Sequence, residues 1–147
     1  MNVPRIVRPM KAAPDGLPLE GDGIRGSCLR VRASPNAAKL DVGVDATGNV
    51  LLDRRGLSVS DDWRQLEGFL IPEHLNDGLN AASGKNMRVF THGSGPFVEG
   101  AVASGLELLF KPNSRTTGVV APDGAVSLAD YQDNLVSTRL NWVIDES

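Results

Sequence analysis

Residue types that catalysis leans on are scarce in this chain. Its 147 residues include one cysteine, two histidines, one tyrosine and two tryptophans. A lone cysteine, Cys28, rules out an internal disulfide and fits a reducing compartment. It lies in an alternating apolar run, so it reads as a small buried side chain rather than a nucleophile. His74 and His92 have no partner at helical ligand spacing, which argues against the usual zinc sites, and no metal is expected. No run approaches the roughly 20 apolar residues of a membrane-spanning helix. The opening "MNVPRIVRPMKAAPDG" lacks the continuous apolar core of a secretory signal, so a cytoplasmic protein is expected.

A strong charge bias is also missing. Fifteen basic and 18 acidic residues leave a formal charge of −3, which gives no electrostatic reason to expect nucleic acid. The basic clusters at Arg5 to Lys11, Arg30/Arg32 and Arg54/Arg55 are short and read mainly as solvated faces. Phosphate-binding motifs fail too. "THGSGPF" supplies Gly93 and Gly95, but Val98 stands where a dinucleotide fingerprint needs its third glycine. In "DVGVDATGNVLL", Ala46 and Leu52 occupy the places where a calcium loop needs glycine and a bidentate acid. No serine sits in a G-x-S-x-G elbow.

Glycine and proline are plentiful, with 16 and nine copies, and they divide the chain into short elements. Length and composition predict one domain over residues 1–147, with 1–26 as an extended arm carrying an edge strand at Arg5 to Arg8. "SCLRVRAS" alternates so that Arg30 and Arg32 share one face of a half-buried strand. "SDDWRQLEGFLIPEHL" predicts two short helical turns, one capped by Ser60 and one begun by Pro72. "MRVFT", "PFVEGAV", "LELLFK" and "TGVVA" are further strand candidates, and Trp142 to Ile144 a C-terminal one. The clearest helix is "SLADYQDNLVST", with Ser127 and Asp130 at its start and a stripe of Leu128, Tyr131 and Leu135. The expected class is α+β: six to eight short, mainly antiparallel strands with two or three short helices.

A scattered set of polar residues remains, Arg30, Arg32, Ser58, Glu99 and Glu107, each with an ordinary explanation as surface arginine, turn serine or strand-edge acid. Their order gives them another meaning. "CLRVR", then "RGLSVSDDW", "FLIPEHL" and "TTGVVAPDGAVSLADYQDNL" resemble a small group of bacterial toxin-like proteins. That group includes a type VI secretion effector with an ADP-ribosyltransferase-like fold. The resemblance implies NAD as substrate, with Arg30 or its close alternative Arg32 on the diphosphate, Ser58 positioning the ribose and Glu99 as the catalytic acid. Thr117 stands where the group carries a histidine before Gly118. An immunity or antitoxin protein is the implied partner, and delivery into a target cytoplasm by a signal-independent system the implied route. A non-catalytic protein-binding module is the alternative that the same residues leave open.

Overall fold

Seven short strands in one antiparallel sheet dominate the computed structural model, which describes residues 3–34, 36–37, 39–65, 71–75 and 87–146. The strands are β1 (Ile6–Lys11), β2 (Leu57–Ser60), β3 (Met87–His92), β4 (Gly100–Ala103), β5 (Leu106–Phe110), β6 (Thr117–Pro122) and β7 (Val143–Ile144). Their order across the sheet is β4-β5-β6-β2-β1-β3-β7, and the sheet curls into a half-barrel. One α-helix, α1 (Leu128–Ser137), is present among the described residues. The α+β expectation is therefore corrected: the protein is nearly all-β. The turns expected in "SDDWRQLEGFLIPEHL" amount to single 3-10 turns at Trp63–Gln65 and Glu73–Leu75, and residues 66–70 lie outside the described set.

Strand alternation sets which side chains meet. Leu57 and Val59 on β2, Ile6 and Met10 on β1, Phe90 on β3, Val120 on β6 and Leu106 and Leu108 on β5 form one apolar core. Helix α1 closes this face with Tyr131 and Leu135, joined by Leu29, Val31 and Trp142. Leu128 is half-buried against the same cluster. Ser127 caps the helix, its hydroxyl accepting from the Asp130 amide at 3.1 Å. The reverse face is buried too, at Val7, Val89 and Val119.

Three local expectations change. β1 lies between β2 and β3, so it is a central strand and not the edge strand expected at Arg5 to Arg8. Residues 28–32 form no strand, because the Val31 amide and carbonyl are both taken by the Gln132 side chain of α1, each at 2.9 Å. Ser60 ends β2 rather than capping a helix, and the Asp62 carboxylate instead accepts from the Arg64 amide. Among the described residues no helix is long and apolar enough to cross a membrane.

Candidate functional site

β2 is paired along its whole length with β6 but at one position with β1, and a polar side chain bonds the β2 backbone on each side. β1 and β2 pair at Val7 and Ser60. Continuing that ladder would set Pro9 opposite Ser58, and proline has no N–H to donate. The Ser58 carbonyl accepts from Arg8 Nη1 at 2.7 Å instead. Arg8 Nε and Nη2 both donate to the Cys28 carbonyl, at 3.2 and 3.1 Å. Arg8 is only 8% exposed and forms no ion pair among the described residues, and burial pushes its pKa down. On the other side of β2, the Tyr131 hydroxyl donates to the Val120 carbonyl at 2.5 Å and accepts from the Leu57 amide at 3.3 Å. Burial holds that phenol well above its ordinary pKa.

Among the residues proposed for NAD, Arg30, Arg32 and Glu99 each bond to different groups. Arg30 donates from Nη1 to the Gly21 carbonyl at 2.8 Å and lies 3.8 Å from Glu20. Arg32 makes a forked pair with Asp41, at 3.1 and 2.8 Å, which raises the guanidinium pKa. Ser58, half-buried on β2, alternates with Leu57 and Val59 and so projects from the sheet face opposite the core. Glu99 accepts from the Phe110 amide at 2.8 Å and from Arg54 Nη2 at 2.6 Å. The Phe110 amide first, then Arg54, hold its carboxyl below the usual range. Among the described residues no hydrogen bond or ion pair joins any two of Arg30, Arg32, Ser58 and Glu99. Glu99 instead ties the approach to β4 onto the end of β5.

A concave surface does form, elsewhere. A half-open cleft of about 330 Å³ lies where β5 and β6 meet the loop of residues 51–55. Leu51, Leu52, Leu109 and Pro122 supply its apolar wall. Leu52 is 60% exposed, an apolar side chain left in water. Arg54 and Arg55 stand on the rim, each already neutralised, by Glu99 and by Asp53 at 2.8 Å. Arg54 has φ +65, an uncommon backbone conformation for a residue with a side chain. Glu107 and Asp123 also line the cleft, and neither carboxylate has a hydrogen-bond or ion-pair partner among the described residues. Two charge pairs that cancel and two unpaired carboxylates leave the cleft net acidic.

Chemically, such a surface can hold a cation with an apolar stem. Among the described residues its lining includes no histidine, cysteine, serine or tyrosine. No group of three or more acidic, histidine or cysteine residues there could hold a metal ion. Sequence reasoning noticed Glu107 only as a strand-edge acid and missed the cleft. The signals were the dibasic "RRG" before β2 and the "PDG" that closes β6, turn sequences that the sheet brings together.

Fold and site together define a nearly all-β protein with an acidic, apolar-walled cleft. No family model matches the chain, nor does any curated protein or solved structure.

Proposed function

We propose that this chain is a non-catalytic protein-binding module whose cleft takes a basic side chain of a partner protein. The observation that carries this reading is the pairing of the unneutralised Glu107 and Asp123 carboxylates with the apolar wall of Leu51, Leu52 and Leu109. A lysine or arginine has the matching form, an aliphatic stem with a charged tip. Ion pairs in so open a cleft add little affinity one at a time, and salt weakens them. The partner is thus held by a moderate contact that specifies charge. The NAD-cleaving reading would need Arg30, Ser58 and Glu99 on one nucleotide, whereas Arg30 and Glu99 are bonded to other groups. Its fold premise goes with the α+β assignment.

One NMR experiment separates the two. The ¹⁵N-labelled chain is titrated with the capped tripeptide Leu-Lys-Leu, with Leu-Glu-Leu, and with NAD. Shifts at Leu51, Glu107 and Asp123 with the lysine peptide alone, reduced by added salt, are expected. Shifts with NAD around Arg30 and Ser58, and none with the lysine peptide, would reverse the choice.

A further inference from the structure

β7 is held to the sheet edge by very little of its own side-chain surface. Val143 is 59% exposed and Ile144 37%. Its attachment comes from the residues that flank it. On one side, Glu146 accepts from Arg88, from the Val89 amide and from His74. On the other, Trp142 is buried in the core, its indole N–H donating to Thr138 at 2.9 Å.

Trp142 rests on a titratable ring. The pairing of Thr91 with Val143 sets His92 opposite Trp142 across the β3–β7 ladder, and their ring centroids are 5.3 Å apart. His92 is 5% exposed, and its Nδ1 is buried without a hydrogen-bond partner. The ring has little room to retreat by moving its backbone. Gly93 follows at φ +81, and a Cβ there would lie 2.2 Å from the Pro4 carbonyl oxygen, so the chain is clamped against the N-terminal segment. The charged groups on elements around His92 are committed elsewhere: Arg8 to the Cys28 and Ser58 carbonyls, Arg5 to Asp145, and Arg139 to Asp15. Burial lowers the pKa of His92, and no charged neighbour contributes to that shift.

We propose that His92 is an acid switch for the C-terminal segment: its protonation expels Trp142 from the core, detaches β7 and uncovers the outer edge of β3. Charging the ring where it stands leaves a buried cation facing an indole, with a second N–H and no acceptor for it. Detaching a two-residue edge strand is the least costly way to admit water, since local opening draws on the weakest-held element. The sign follows from burial. The folded-state pKa is depressed, so the stability from neutral His92 is complete above the unfolded value of about 6.5. It is lost as pH falls from there towards the folded value. The pKa of Glu146 is also net lowered from its ordinary value, because the hydrogen bonds to its carboxylate outweigh the upward push of desolvation.

The test uses the full chain carrying Trp63→Phe, so that Trp142 is the sole emitter. Between pH 7 and 5 its emission should shift to the red. Exchange of the Asp145 amide, which donates to the Val89 carbonyl, should quicken about tenfold beyond the intrinsic pH effect, while β5 and β6 amides stay protected. His92→Phe, which keeps an aromatic ring and cannot take a proton, should abolish both changes. A pH-independent emission, a step that survives His92→Phe, or simultaneous loss of protection in β5 and β6 would overturn the proposal. Should His92→Phe fail to fold, the His92 ring resonances of the parent protein must titrate with the same midpoint as Trp142 emission, and separate midpoints would equally overturn it.

Discussion

Arg8 Nη1 donates to the Ser58 carbonyl at 2.7 Å, in the ladder place that Pro9 leaves without an N–H. A side chain thus completes the central β1–β2 seam, and its other donors hold the Cys28 carbonyl from the segment packed beside β1. The arginine is structural, and its value lies in satisfying two carbonyls that would otherwise be orphaned.

Arg8→Met keeps the stem and removes the donors. Relief from a buried charge offsets part of the loss, so a net cost of about 2–4 kcal/mol is expected in urea unfolding. Arg8→Lys should recover only part of it, because an ammonium cannot span both carbonyls with the same fork. A cost below about 0.5 kcal/mol for Arg8→Met would mean that β1 and β2 close without the guanidinium.

Tyr131→Phe removes the hydroxyl that bridges Leu57 and Val120. Leaving two buried backbone groups without a partner should cost about 1–3 kcal/mol, again read by chemical denaturation. A neutral effect would show that the existing β2–β6 pairing needs no support from the hydroxyl.

Leu135→Ala deletes a side chain that is 1% exposed in the core under α1. The expected loss is roughly 2–5 kcal/mol. A loss well under about 1 kcal/mol would place the helix stripe outside the core.

Glu146 sets a second pH dependence, distinct from that of His92. Desolvation raises its pKa, but hydrogen bonds from Arg88, the Val89 amide and His74 bring it net below the ordinary carboxylate value. Its contribution is therefore present above the unfolded pKa of about 4.3 and fades as pH falls through the lower folded value. Stability curves of the parent and Glu146→Gln should differ at pH 7 and converge in strong acid. Curves that stay parallel down to pH 2 would remove Glu146 as an anchor of β7.

Short-range patterns were readable where one face meets a core and the other does not. "LELLFK" gave β5, where Leu106 and Leu108 prove to face the core, and "SLADYQDNLVST" gave α1 with Tyr131 and Leu135 buried. "CLRVR" misled because its alternation is real but its partner is a helix side chain, Gln132, 101 positions away in sequence. The helical signal after Ser60 overcounted α structure, since aspartates beside a strand end serve turns as well as caps. Arg8 was read as solvated because charge alone predicts water. Its acceptors are backbone carbonyls 20 and 50 positions away, which no local pattern encodes. The loop of Arg54 is likewise far in sequence from Glu107 and Asp123, so the cleft emerges only from the strand order.

The most direct test of the binding-module reading is a titration of Leu-Lys-Leu into the parent chain and into Glu107→Gln/Asp123→Asn, followed by amide shifts around the cleft. Both substitutions replace carboxylates that hold no partner among the described residues, so the fold should survive them. Saturable shifts at Leu51 and Leu109 in the parent, weakened at least about tenfold in the double variant, are the expected result. Equal binding by the two proteins, or no binding by the parent at millimolar peptide, would contradict the assignment of the cleft.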